Sequence, residues 1–369
     1  MKIGKNDILI ILPLSVLLIL GLVMVTSSSI YIADDMTSNP FHFAQRQTLF
    51  VSMGLIAMLI FLVLPSDFLY KTDWIFMLLS ILLLIILFIP DIGTSVNGSI
   101  RWIRIGPINV QPTEICKFSL ILYISGYSVR RMSEINSLRS FLKPLILLFI
   151  ISILIMGQPD LGSTAIVCML VVGILFYAGI SFSQLTLLIL LIALLGYLAI
   201  TTSPMRLARV LAFTDPFAVD VVQKAGWQLS NSLISIGQGG WLGVGLGNSF
   251  QKSFFLPEAH TDFIFAILVE ELGIIGGIFL IILFVIMLIG LMSVAFESFK
   301  KGRLFQGYTV FGIFLLISIQ TLLNIGVNIG LLPTKGLTLP FISYGGTSII
   351  IMLSLIGIVL RINNENKIL

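Results

Sequence analysis

Apolar residues along this chain gather into ten blocks, over about 8–29, 45–64, 74–90, 112–129, 142–158, 163–181, 184–201, 263–295, 305–331 and 341–361. Each lies near the roughly 20 residues that carry a helix across a bilayer core. The fifth is short and ends in Gln158-Pro159-Asp160, so its boundary is open. The eighth is longer than one crossing needs, which predicts tilt or an extension beyond the bilayer. The pattern predicts an all-α integral membrane protein, a bundle of about ten transmembrane helices forming a single membrane domain over 1–369. A long extracytoplasmic loop, about 202–261, joins helices 7 and 8, and a shorter cytoplasmic loop spans about 130–141.

Composition excludes a soluble domain: 57% of residues are hydrophobic and only 10% charged, against about 25% charged in soluble proteins. Lys2 and Lys5 precede the first block, but no small-residue cleavage site follows, so a retained span is expected. Cys116 and Cys168 fall inside apolar blocks and read as small core residues. Orientation follows from the basic residues. With the N-terminus inside, one side collects Lys2, Lys5, Lys71, Arg130, Arg131, Arg139, Lys143, Lys300, Lys301, Arg303, Arg361 and Lys367. The short loops of the other side hold only Arg46, Arg101, Arg104 and Lys335. Both termini are therefore expected in the cytoplasm, and the loop 202–261 outside.

That loop is too apolar for a linker, with Trp227, Leu229, Leu233, Ile234, Ile236, Trp241 and Phe254, and long ordered loops are usually functional. The stretch 227–236 has partial helical periodicity, which predicts a helix along the outer leaflet surface. The glycines of 237–247 permit tight turns or a close approach to a ligand; flexible packing against the bundle is the plainer alternative.

Two further outer segments concentrate polar chemistry. In 91–112, Trp102 suits an interfacial position between Arg101 and Arg104, and the arginines suit either lipid phosphates or a phosphate ligand. Glu114 and Lys117 share a helix face, as an ion pair, with a ligand role for Lys117 also open. Glu270 and Glu271 invite the same structural reading. In 333–348, two prolines and Gly336 predict a rigid loop carrying Lys335. Ser343 to Ser348 then open or interrupt the last helix, which is tolerated at membrane depth only beside a cavity. A polar cavity open to lipid would suit an amphiphile with an anionic headgroup.

Pro257-Glu258-Ala259-His260-Thr261-Asp262-Phe263 joins the long loop to the eighth block. An ionisable residue at a membrane boundary is costly and is a functional candidate by default. The plain alternative is that Asp262, or Thr261, caps the helix. In an extended segment Glu258, His260 and Asp262 would point the same way, which is compatible with a metal, with tuning of Asp262 by His260, or with neither.

Leu256–Phe265 with Glu270-Glu271-Leu272-Gly273 resembles the SEDS (shape, elongation, division and sporulation) glycosyltransferases of bacteria. Arg101-Trp102-Ile103, Gln111-Pro112-x-Glu114-x-x-Lys117, Gln158-Pro159-Asp160-Leu161-Gly162 and Lys335–Gly346 fit the same family in order, over nearly the whole chain. Gly245-Leu246-Gly247-Asn248-Ser249-x-Gln251-Lys252 is similar to its division branch rather than its elongation branch.

The resemblance implies a peptidoglycan polymerase in the bacterial cytoplasmic membrane, acting on lipid II at the outer face during septal wall synthesis. It implies inverting transfer with Asp262 as general base and undecaprenyl pyrophosphate as leaving group. Arg101, Trp102, Lys117, Lys252, His260, Lys335 and Ser343 are then expected at the substrate, with Arg206 and Arg209 as further cations. No tightly bound cofactor and no protein metal site are implied, although a divalent cation (Mg or Mn) can accompany the pyrophosphate. Implied partners are a class B penicillin-binding protein, other division membrane proteins and membrane lipids, with no nucleic acid. A lipid II flippase and a non-catalytic division scaffold are the competing readings.

Overall fold

A computed structural model describes residues 4–96, 99–106 and 108–368 of the protein. Asn97 and Gly98 of the polar 91–112 segment lie outside the described residues. The helices are α1 (Lys5–Thr37), α2 (His42–Val63), α3 (Ser66–Ile86), α4 (Pro112–Arg130), α5 (Leu138–Gly157), α6 (Leu161–Tyr177), α7 (Phe182–Thr201), α8 (Pro204–Thr214), α9 (Val219–Val222), α10 (Trp227–Gly239), α11 (Ile264–Lys300), α12 (Leu304–Asn328) and α13 (Gly346–Ile368). Among them, α1–α7 and α11–α13 form the bundle. Eight of these are long and apolar enough to cross a membrane. The other two are α4, whose first turns carry Glu114 and Lys117, and α6, apolar but 17 residues long.

The core lies around α4, α12 and α13. The apolar stretch of α13 is 83% buried, whereas that of α7 is 6% buried and faces outward along nearly its whole length. Apolar side chains on α7 therefore meet lipid, the solvent for which such a surface is suited.

One addition to the all-helical expectation is a small antiparallel sheet, β1 (Gly93–Val96), β2 (Ser99–Ile105) and β3 (Ile108–Val110), in the order β1-β2-β3. Ile103 pairs with Gly93 on one side and Val110 on the other. The β-branched and aromatic run of β2 (Ile100, Trp102, Ile103, Ile105) carries a strand signal, which the interfacial reading of Trp102 obscured. Thr347 in the first turn of α13 pins the sheet: its hydroxyl donates to Asn109 O (3.1 Å) and accepts from Gln111 N–H (3.0 Å).

The eighth block, expected to tilt or to extend beyond the bilayer, also carries a break. Within α11, Gly273 adopts φ 75°, ψ 179°. The groups released there are taken up by the glycine-rich loop, where Ile274 N–H donates to Gly240 O (2.9 Å), Val244 N–H to Glu270 O (2.9 Å) and Gly245 N–H to Glu271 O (3.1 Å). A Cβ on Gly243 would lie 2.2 Å from Glu271 O, and one on Gly273 2.2 Å from Trp241 O. Glycine is therefore required on both sides, and the glycines serve a close approach of backbone to backbone. The helix expected on the leaflet surface exists as α10, but it packs against α11 and α12. Leu229, Ser232 and Ser235 are buried, and Ser232 Oγ donates to Asn328 O (2.9 Å).

Two buried carboxylates beside the break hold the loop. Glu270 accepts from Ser235 Oγ (2.7 Å), Ser249 Oγ (2.6 Å), Phe250 N–H (2.8 Å) and Gln251 N–H (3.3 Å). Glu271 accepts from Ser27 Oγ on α1 (2.6 Å) and from Lys252 Nζ (2.7 Å). Lys252 spends its remaining donors on Ser27 Oγ (3.0 Å) and Gly247 O (2.7 Å).

Removing one partner of such a pair strands the other charge, at about 3–5 kcal/mol. Lys252→Met is expected to lower the thermal midpoint of detergent-solubilised protein sharply. The double variant Lys252→Met/Glu271→Leu should recover most of the loss, as measured by scanning fluorimetry.

Candidate active site

The turn before α11 decides what Asp262 does. The N-cap of α11 is Phe263, with no side-chain cap. Thr261 is occupied elsewhere, its hydroxyl donating to Glu258 Oε2 (2.6 Å). The first-turn donor Ala266 N–H is satisfied from another helix, by Asn328 Oδ1 of α12 (3.1 Å). Capping by Asp262 or Thr261 is thereby excluded. The backbone O of Asp262 accepts from Asn324 Nδ2 (2.8 Å) and Asn328 Nδ2 (3.0 Å). Among the described residues its carboxylate makes no hydrogen bond to protein, and it lines a cavity of about 610 Å³.

That cavity gathers the three polar segments at one end of the bundle. The sheet contributes Arg101 and Trp102, the 333–348 segment Lys335 and Gly336, and the loop helix α8 Arg206 and Arg209. Arg101 reaches Asp160 (Nε–Oδ2 3.4 Å) and donates from Nη2 to Pro159 O (3.2 Å). Asp160 also caps α6 through Ser163 N–H (3.0 Å), so one carboxylate fixes both a helix start and a guanidinium. Gly336 lies between acid and base: a Cβ there would sit 3.2 Å from Asp262 Oδ2 and 3.7 Å from Arg101 Nη1. A side chain at Gly336 would fill the space beside the carboxylate.

Burial pushes the Asp262 carboxyl up to about 8, with Glu258 and Asp160 adding to the push and Arg101 and Arg209 opposing it. The side chain keeps some contact with the open cavity, so water tempers the effect. Burial pulls the Lys335 ammonium down to about 8, helped by Arg209 and Arg206. The site thus holds an acid and a cation that both change charge near the same pH.

His260 lines the same cavity, although its segment is not the extended one expected. The segment is a series of turns, with Glu258 at φ 57°, so alternate side chains do not align. The His260 ring packs against Phe43 (centroids 4.6 Å) and Tyr344 (5.8 Å), and burial lowers its basicity, leaving it neutral at the cavity edge. Among the described residues no cluster of three His, Cys, Asp or Glu side chains could hold a metal ion.

Three of the expected substrate residues are occupied elsewhere. Lys117 is 1% exposed and bonds Glu114 (2.6 Å) inside α4. Lys252 closes the loop onto Glu271, as described. Ser343 is buried, donating to Thr261 O (2.6 Å) and accepting from Leu339 N–H (2.8 Å), so it joins two site segments from beneath. Sequence reading also passed over Arg46 and Tyr344, which line the cavity, and Asn324 and Asn328. Two asparagines four apart near the end of an apolar block were the available signal for the last pair.

The family described as "Cell cycle protein", comprising FtsW, RodA and SpoVE, matches residues 7–368. The chain belongs to this family. It is 43% identical over 353 residues to a "Probable peptidoglycan glycosyltransferase FtsW" of Legionella pneumophila, covering 95% of this chain and 89% of that one. The protein of the same name from Allochromatium vinosum is 44% identical over 352 residues, covering 94% and 87%. Among solved structures, a chain described under "Structural coordination of polymerization and crosslinking by a peptidoglycan synthase complex" superposes with TM-score 0.78 at 25% identity, covering 96% and 97%. Thermus thermophilus RodA superposes with TM-score 0.71 at 24% identity, covering 96% of each chain, a likeness of fold. The family thus shares a multi-pass helical bundle with this chain.

A carboxyl held above its ordinary value destabilises the folded protein once it must ionise. Its favourable contribution is complete below about pH 4 and is lost as pH rises through about 8. Asp262→Asn should therefore match wild type in thermal midpoint near pH 4 and exceed it at pH 9, by scanning fluorimetry across that range.

Proposed function

We propose that the protein is a peptidoglycan glycosyltransferase that polymerises lipid II at the outer face of the cytoplasmic membrane, in septal wall synthesis. The observation that carries the reading is the Asp262 carboxylate, which among the described residues makes no hydrogen bond to protein, in a cavity lined by Arg101, Arg206, Arg209 and Lys335. Transfer of a sugar from a lipid pyrophosphate needs that pairing: one base for the acceptor hydroxyl and positive charge for the leaving group.

In the proposed step the acceptor GlcNAc 4-hydroxyl gives its proton to Asp262 while its oxygen attacks C1 of the donor MurNAc. The C1–O bond to pyrophosphate breaks with its electron pair staying on the pyrophosphate, and the α linkage becomes β. Lys335, Arg206, Arg209 and Arg101 stabilise the charge that develops there. The orientation with both termini in the cytoplasm rests on the basic residues of the opposite end. A divalent cation arriving with the pyrophosphate would be held mainly by phosphate oxygens, with few protein ligands. The family resemblance supports a class B penicillin-binding protein as partner.

A flippase would carry unpaired charge through the middle of the bundle. Here the deeper charges Lys117, Lys252 and Glu271 are spent in ion pairs. A headgroup-flipping assay in sealed vesicles tests that alternative directly.

Polymerisation of lipid II by the purified protein with its transpeptidase partner is the primary test. Asp262→Ala should insert normally and lose at least about 100-fold in rate, the lower range for a general base; a full rate would overturn the assignment. Because Asp262 must lose its proton and Lys335 must keep one, kcat/KM should rise with pH toward about 8 and fall above it. Lys335→Arg should move only the falling limb, to higher pH.

A further inference from the structure

Among the described residues the Asp262 carboxylate makes no hydrogen bond to protein, so where it sits is set by its backbone. We infer that Asn324 and Asn328 on α12 are positioning residues that hold this backbone, and with it the aim of the base and its distance from the cation-bearing segment. The inference rests on Asp262 acting as the base.

The two side chains lie one helical turn apart on α12 and converge on a single acceptor, the Asp262 carbonyl, at 2.8 and 3.0 Å. They are 1% and 0% exposed, in an otherwise apolar stretch. Burying two amides there is costly unless each group finds a partner, and the partners are informative. Asn328 spends its oxygen on Ala266 N–H (3.1 Å), starting α11 without help from Asp262. Its remaining donation goes to Asn324 O (2.8 Å).

Asn324 gives its second N–H to Leu337 O (2.6 Å), two residues after Lys335 and one after Gly336. One amide therefore bridges the strand of chain that carries the acid and the strand that carries the cation. Starting α11 explains Asn328, but it needs nothing from Asn324. What the Asn324 bridge adds is a fixed separation between base and leaving-group site. The charged groups facing Asp262 across this frame are Glu258, Arg101, Asp160 and Arg209.

Asn324→Leu keeps the branching and the number of heavy atoms and removes both donors. Its kcat for lipid II polymerisation is expected to fall about 10–100-fold, the scale on which a misplacement of about 1 Å acts, with KM within about threefold of wild type. The rising limb of the pH profile should move to lower pH as water reaches the loosened turn. Asn324→Gln, which keeps both donors, should recover most of kcat and restore the profile. A wild-type kcat in Asn324→Leu would overturn the inference. So would a lowered kcat with an unmoved profile and no recovery in Asn324→Gln, which is the mark of a structural role alone. Should the leucine variant not fold, Asn324→Ser retains one donor and should give an intermediate kcat; full rate and an unchanged profile there would overturn the inference equally. Asp262→Ala in the same assay separates the two assignments. If that variant is inactive while Asn324→Leu is normal, the positioning role fails alone. If it keeps full rate, the base assignment fails first.

Discussion

The architecture depends on a broken helix. A span interrupted at membrane depth leaves backbone donors and acceptors with no water to receive them, and each unsatisfied group costs several kcal/mol. In α11 the break at Gly273 is tolerated because the backbone of 240–245 replaces the missing partners. The loop is consequently a structural component of the span, and the span a component of the loop. Glu270 and Glu271 extend the same arrangement with side chains, binding residues 249–252 and α1. Everything from α10 to the Asp262 turn is registered to the bundle through this junction.

That registration explains how a site built from four remote stretches keeps its geometry. The sheet is tied to α13 by Thr347, Asp160 holds both α6 and Arg101, and Ser343 joins the 339 and 261 backbones. Each tie is a polar group whose burial is compensated by an obligatory bond. The cavity is the region where such bonds thin out and ionisable groups line open space.

Much of this was legible in the order of residues. The ten apolar blocks correspond to the ten bundle helices, and the three polar segments converge as their charges implied, bringing Asp262, Arg101, Trp102, Arg206, Arg209 and Lys335 together. The departures from expectation share a physical origin. Lys117, Lys252 and Ser343 are polar residues in an apolar context, and sequence does not tell a ligand-facing polar group from one that satisfies a buried neighbour. Glu258, His260 and Asp262 were aligned by assuming an extended chain, whereas Glu258 turns it. The break in α11 was invisible because one glycine does not by itself interrupt a helix, and its compensating partner lies some thirty residues earlier.

The two sides of the cavity are held by different means. The acid side is tied to the most buried helices, through α12 and the junction at α11. The side carrying Arg206 and Arg209 belongs to α8, which packs on α7, and α7 meets lipid along nearly all of its surface. One wall of the site therefore rests on the packed core, and the other on a helix with little protein around it.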